Sequence, residues 1–467
     1  MENNNYFIHN AFIVNEGKVF NSDVIIKGGI IAKITGECDK TKFGQMPDNM
    51  EFIDATGLYL LPGVIDTHVH FRDPGLTYKG DMYTESLAAV AGGVTSVMDM
   101  PNVIPPTTTV ERWQQKMDIA KQKMFTNYAF YLGATNTNLE ELQKADKSKI
   151  AGIKVFLGAS TGNMVVNDEA VLEQIFAQKN TIIATHCEDD DIIAKNTKLC
   201  EELFQNYMPD DYHCRIRTHL ACLVATQKAV KLAQKYGTQL HILHVSTSDE
   251  IDLLSKDYPN ITAEVCPSYL LFSDCDYPLY GNLLKCNPSI KTAEDNKALL
   301  QALKEGKFTT IGSDHAPHTL EEKCRPYKEA PSGIPMVEYS LPVLLSSLVP
   351  RLLKIQDVVK YMAHAPALRF GVQKRGFIRE GYFADLVLVD RNYKYPVNVY
   401  SKCGWSLFYV PDSKNPQLFT PKILSTFIKK TFVNGRLVYQ NDNGLEKGHF
   451  YGDPNGQPLE FQHNKNE

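Results

Sequence analysis

Between residues 63 and 370, short apolar runs alternate with longer stretches whose apolar positions recur at helical spacing. Eight β-rich runs end near His70, Met100, Gly133, Phe156, His186, His244, Cys266 and Asp314. Helix-like periodicity fills the segments between them, over Met82–Ala91, Asp168–Gln178, Leu220–Lys235 and Ala293–Lys304. Strand and helix in alternation predict a parallel sheet with helices packed outside it. Eight such units favour a TIM (β/α)8 barrel, whose chemistry gathers at the C-terminal ends of its strands. An open doubly wound sheet is the competing arrangement, but neither a G-x-G-x-x-G loop nor a P-loop is present to go with it.

The two ends of the chain have a different pattern. Asp23 to Ile31 places Gly28-Gly29 between two β-rich runs, which is a hairpin signal. Ala384–Asp390 and Lys430–Tyr439 repeat the style, the latter with Asn434-Gly435 at its turn. Chain termini often lie close together, so both ends are expected to share one small β-sandwich. The expected division is 1–62 and 371–440 for the sandwich, 63–370 for a metal-dependent barrel, and 441–467 for a C-terminal tail or oligomer arm rich in Asn, Gly, Gln and Pro.

Composition narrows the class of partner. With 467 residues, 43% hydrophobic and 22% charged, the chain has ample material for a packed core. A net charge of −5 and a pI near 6.2 argue against nucleic acid or an anionic membrane and leave a small molecule as the expected partner. Ten cysteines stand singly with no C-x-x-C pair, as in a reducing compartment. No apolar run approaches 18 residues and the first residues show no basic-then-apolar signal, so a cytoplasmic protein is expected.

Candidate chemistry begins at Val64-Ile65-Asp66-Thr67-His68-Val69-His70. A buried strand ending in two histidines one residue apart delivers both imidazoles on one side. Alone, the pair reads more readily as packed, hydrogen-bonded core histidines than as a site. Further strand tips carry Lys154, His186, His244 and Asp314, each after an apolar run. On one barrel these would converge at one mouth, and imidazoles with a carboxylate suit zinc. Glu188 is placed to orient His186. Ser160-Thr161-Gly162-Asn163 reads as a turn, Asp189-Asp190-Asp191 as a helix N-terminus, and His213 and His219 as surface histidines.

The chain resembles the cyclic amidohydrolases, and among them the longer dihydroorotases with an extra β-sandwich domain. The resemblance rests on Pro62 to Gly75, Asp99-Met100-Pro101-Asn102, Thr185-His186-Cys187-Glu188-Asp189, His244-Val245-Ser246-Thr247 and Ser313-Asp314-His315-Ala316-Pro317-His318, and spans roughly residues 10 to 440. It implies His68, His70 and Asp314 as ligands of one zinc, and His186 and His244 as ligands of a second. Lys154, carboxylated to a carbamate, would bridge them; an unmodified lysine is the alternative, and several longer members carry an aspartate in this region. A metal-bridged hydroxide is then the nucleophile, with Asp314 as base and then acid. Arg72, Asn102 and His318 would hold a substrate carboxylate, Asn287 would contact the ring, and Pro331-Ser332-Gly333 would offer backbone groups. Read singly, Arg72 is a salt-bridge residue, Asn102 a turn residue and His318 a helix cap. The implied activity is reversible hydrolysis of dihydroorotate to N-carbamoyl-L-aspartate in pyrimidine biosynthesis. The rivals are a dihydropyrimidinase, hydantoinase or allantoinase, or a non-catalytic scaffold relative. The resemblance also leaves room for a homo-oligomer and for association with aspartate transcarbamoylase, which some members show.

Overall fold

The computed structural model describes residues 5–36, 50–158, 164–205, 207–392, 394–409, 422–444 and 446–462. The Ser160-Thr161-Gly162-Asn163 turn and Cys38 lie outside them.

Both ends of the chain build one nine-stranded sheet. Tyr6–Asn15 pairs antiparallel with Lys18–Lys27, which pairs with Ile30–Ile34 across the Gly28-Gly29 turn. Gly29 has φ 86°, and a Cβ there would lie 3.0 Å from the Asn434 carbonyl oxygen, so the hairpin tip packs onto the Asn434-Gly435 turn only as glycine. Leu386–Asp390 lies antiparallel between Tyr59–Pro62 and Phe427–Val433. This is the seam where the two ends of the chain meet. The expected sandwich takes the form of this continuous sheet with its own apolar core, which includes Ile8, Ile13, Val24, Leu60, Leu388 and Phe432.

Gly63 passes the chain directly from that sheet into a parallel unit. Its N–H donates to the Asp385 carbonyl at 2.8 Å, and a Cβ there would stand 2.1 Å from Thr95 Oγ1. Val64–Val69, Val94–Asp99 and Asn127–Phe130 then pair in parallel. Leu132–Gly133, Ile153–Phe156, Ile182–His186, Gln239–Ile242, Ile261–Val265 and Thr310–Ile311 form a second sheet in chain order, each pair parallel. The sheets meet on both sides. Ala151 N–H donates to the Phe130 carbonyl, while at the other edge Val69 bridges His315 in parallel. Almost every strand residue is buried, which is why these strands read as continuous apolar runs and not as alternation.

Helix ends follow local capping chemistry. Met82–Ala91 starts at Asp81, whose carboxylate accepts the Tyr83 and Thr84 N–H groups, and Ala293–Lys304 starts in a Thr292–Asp295 capping box. The stretch expected from Asp168 is helical over Glu169–Phe176, with Asp168 as its cap. The next, His219–Tyr236, stops at Gly237 with φ 64°. Asp189 caps Asp190–Phe204 by accepting the Ile192 N–H. Residues 455–462, inside the segment read as a C-terminal tail, run along the parallel unit, with Leu459 and Phe461 buried. No helix among the described residues is long and apolar enough to cross a membrane.

Candidate active site

The C-terminal ends of the parallel strands carry the candidate ligands, and the backbone there is unusual. Arg72, His244 and Asp314 have φ of 65°, 39° and 46°, a left-handed region that costs a non-glycine residue about 1–3 kcal/mol. Three such residues just past the ends of parallel strands mark a place where geometry is held against local preference.

Asp314 Oδ1 lies 3.1 Å from His68 Nε2 and 3.1 Å from His70 Nε2. The other nitrogen of each ring is already engaged. His68 Nδ1–H donates to Glu264 Oε1 at 2.7 Å, and His70 Nδ1–H donates to Asn102 Oδ1 at 2.8 Å. Two imidazole lone pairs and a carboxylate oxygen therefore face one another with no proton between them, an arrangement that a divalent cation resolves. These three ligand atoms lie within 4.8 Å of one another. A second pair sits beside the first. His186 Nε2–H donates to Glu188 Oε2 at 3.0 Å, which turns its Nδ1 toward His244 Nε2 at 2.9 Å. His244 Nδ1 is buried without a hydrogen-bond partner among the described residues, and its ring is 5.3 Å from that of His68. Lys154 is buried, with its ammonium 4.6 Å above the Phe156 ring.

Burial is the largest influence on all of these groups. It lowers the four imidazoles below their ordinary value, leaving them neutral as ligation requires. It also pulls Lys154 down to about 8. Burial works to raise Asp314 as well, and the His68, His70 and His244 rings around it hold its carboxyl below the usual carboxylate range when they carry a proton.

Arg72 is 5% exposed, and among the described residues no carboxylate pairs with it. Its Nε–H donates to the Pro317 carbonyl at 3.0 Å, and its Nη2 stands 3.0 Å from His318 Nε2. Lys79 Nζ donates to His318 Nδ1 at 3.1 Å, so the ring proton belongs on Nε2, which donates to the Ser332 carbonyl at 3.1 Å. Arg72 keeps guanidinium N–H groups beyond these contacts for an anionic oxygen, while the His318 ring beside it is held by the Ser332 carbonyl. Burial lowers Arg72 to about 10, still charged near neutrality. Asn287 Oδ1 is buried without a hydrogen-bond partner among the described residues.

Several functional neighbours escaped the sequence reading. Glu264 holds His68 and accepts the Thr67 hydroxyl at 2.9 Å; burial pushes its carboxyl up to about 8. Its signal was a carboxylate inside the apolar strand Ile261–Val265. Asp66 accepts the His68 and Ser313 N–H groups and ties the first strand to the last. Glu85, fully buried in the helix Met82–Ala91, accepts from His315 Nε2 at 2.9 Å and the Ser401 hydroxyl at 2.6 Å. Glu188, which the sequence already placed to orient His186, also receives Arg217 Nη1 at 2.5 Å. His213 departs from the surface reading. It is 1% exposed, with Nδ1 2.7 Å from the Tyr327 hydroxyl and Nε2 2.8 Å from the Cys286 carbonyl, because its short helix packs against those two segments. His219, partly exposed, pairs with Asp295 at 2.6 Å.

A parallel α/β unit whose strand ends gather four histidines and an aspartate is the architecture of a metal-dependent hydrolase, and the model of the amidohydrolase family matches residues 59–438. The chain belongs to that family. Among relatives, it is 31% identical over 427 residues to the dihydroorotase of Methanosarcina acetivorans, covering 88% of this chain and 89% of that one. It is 32% identical to the dihydroorotase of Carboxydothermus hydrogenoformans, covering 92% and 96%. Among solved structures it is similar to the L-hydantoinase (dihydropyrimidinase) of Arthrobacter aurescens, with a TM-score of 0.87 and 26% identity over 97% of this chain and 99% of that one.

Proposed function

We propose that this chain is a zinc-dependent dihydroorotase that interconverts (S)-dihydroorotate and N-carbamoyl-L-aspartate in the cytoplasm, as a step of pyrimidine synthesis. In this reading the parallel strands close into a (β/α)8 barrel. His68, His70 and Asp314 hold one zinc and His186 and His244 the other. Lys154, which burial pulls down to about 8, would as its neutral amine take up carbon dioxide with loss of one proton and, as a carbamate, would serve both ions. Zinc bound there supplies Lewis-acid polarisation of the ring carbonyl and lowers the pKa of water.

The chain's own groups do the rest. Asp314 accepts a proton from the attacking water as the C–O bond forms, then returns it to the ring nitrogen as the C–N bond breaks. Water is consumed and no other reactant is needed. Glu264, Asn102 and Glu188 fix the ring orientation of His68, His70 and His186. Arg72 grips the carboxylate that distinguishes dihydroorotate from hydantoin and dihydrouracil, His318 joins it when its Nε2–H turns from the Ser332 carbonyl to the substrate, Asn102 also offers its amide N–H, and Asn287 meets the ring.

The observation that carries this reading is Arg72, a buried guanidinium beside the ligand cluster with N–H groups left over for an anion and, among the described residues, no carboxylate paired to it. The structural likeness to hydantoinases supports the neighbouring activity on rings without a carboxylate. Steady-state assays of the zinc-loaded protein on dihydroorotate, hydantoin and dihydrouracil decide between them. Dihydroorotate is expected to be turned over at least a hundredfold more efficiently; activity on the other two alone would overturn the proposal.

A further inference from the structure

Two buried lysines that play no part in the reaction, Lys323 and Lys285, stand close in sequence to His318 and Asn287. Lys323, 1% exposed at the end of the short helix Leu320–Lys323, directs its ammonium at three main-chain carbonyls: Lys285 at 2.9 Å, Pro331 at 3.0 Å and Gly333 at 3.0 Å. An ammonium has three N–H donors, and here each has its own carbonyl. The Gly333 N–H answers with a bond to the same Lys285 carbonyl at 2.9 Å. From the opposite side Lys285 sends its own ammonium to the Tyr327 carbonyl at 2.5 Å and the Ala330 carbonyl at 2.6 Å. Five bonds from two cations therefore stitch the 327–333 loop to the segment that begins at Lys285.

A buried charge is costly, and a methionine would fill the volume of Lys323 without that cost. What methionine lacks is the ability to satisfy three carbonyls drawn from two separate segments. Those segments carry the ring side of the pocket. Ser332, between the two stapled carbonyls, accepts from His318 Nε2, and Asn287 stands two residues after Lys285 with its side-chain carbonyl buried and unpartnered among the described residues. Gly333 has φ 148°, and a Cβ there would lie 2.5 Å from the Ala316 carbonyl oxygen and 3.0 Å from His318 Cδ2, so the loop passes hard against the strand-end segment that bears His318. A small shift of the loop would change the donor arrangement around His318 directly.

We propose that Lys323 is a positioning residue for substrate binding: by registering the 331–333 loop against Lys285–Asn287, it sets how tightly the ring is held without touching it. The inference rests on the dihydroorotase reading only for the identity of the ring.

The test compares Lys323→Met, which keeps length but not donors, with Lys323→Gln, which keeps an amide able to reach two carbonyls. For Lys323→Met, KM for dihydroorotate is expected to rise at least tenfold, with kcat within threefold of the unaltered enzyme and zinc content unchanged. Lys323→Gln is expected to fall between the two. A space-filling role would give the reverse order, with Met better tolerated than Gln; that order, or an unaltered KM in Lys323→Met, overturns the inference. If neither variant folds, hydrogen exchange on the unaltered protein takes their place. The Ala330 and Gly333 amides must then exchange as slowly as those of Ile261–Val265, and exchange at the rate of an exposed loop overturns the inference. If the unaltered enzyme opens only rings that lack a carboxylate, the dihydroorotase reading has failed. The same KM comparison on those rings then still decides the role of Lys323.

Discussion

At the scale of single residues, Arg72 decides what kind of ring the site accepts. Its guanidinium is buried, held at one edge by the Pro317 carbonyl and set against the His318 ring. A charge-assisted hydrogen bond contributes roughly 1.5–3 kcal/mol, or about 10- to 150-fold in kcat/KM. Arg72→Met is therefore expected to cut kcat/KM for dihydroorotate by about that factor while changing hydantoin turnover less than threefold. Equal losses on both rings would mean that Arg72 supports the fold and does not read the substrate. This residue was legible in the sequence because it follows His68-Val69-His70 by two positions, on a strand end the apolar run had already located. Glu264 was not, since one carboxylate in a strand has no pattern of its own and only the folded distance of 2.7 Å to His68 reveals its role. Asn102 was legible as a site residue, but its bond to His70 depends on how the loop after Val94–Asp99 turns back, which residue type alone does not determine.

At the scale of elements, the strands were legible because both of their faces are buried, and the helices because side-chain caps mark where they start. What local pattern does not give is how closely neighbouring strand ends approach. Gly312, just past Thr310–Ile311, shows the consequence. A Cβ there would lie 2.2 Å from Glu264 Oε2 and 3.1 Å from His68 Cβ. Gly312→Ala must therefore displace Glu264 and release His68 Nδ1 from its anchor. Loss of such an outer partner typically weakens metal binding about 10- to 100-fold. Chelator competition is expected to show that loss in Gly312→Ala, with the circular dichroism spectrum unchanged. Unaltered zinc affinity would show that the strand end can relax without moving its neighbour.

At the scale of the whole molecule, the nine-stranded sheet and the parallel unit are joined by Gly63, by a buried polar cluster and by the C-terminal segment. Arg375 pairs with Asp385, which also accepts from Asn127 Nδ2 at 3.1 Å and the Asn434 N–H at 2.8 Å. Residues 455–462 close over this cluster. Asn434 Nδ2 donates to the Asn455 carbonyl at 3.0 Å, Gln457 N–H to Asn127 Oδ1 at 3.0 Å, and Leu459 N–H to the Tyr128 carbonyl at 2.8 Å. None of this was legible, because two apolar residues in a polar stretch give no period to read. Leu459 and Phe461 are 2% and 4% exposed, and burying such side chains contributes roughly 1.5–3 kcal/mol each. Removing residues 455–467 should thus lower stability by roughly 3–6 kcal/mol, an upper range because the unfolded chain also buries some apolar surface. The segment meets Asn127 and Tyr128 at the start of their strand, whereas the ligands stand at the C-terminal strand ends. Urea unfolding of the shortened chain is accordingly expected to show the loss, while zinc content and KM at 25 °C stay within twofold. A shortened chain that unfolds like the full one would show that the seam holds without this segment. A raised KM at unchanged stability would mean instead that the two ends of the parallel strands are mechanically coupled, so that the donor geometry at Arg72 and His318 depends on packing at the far side of the molecule.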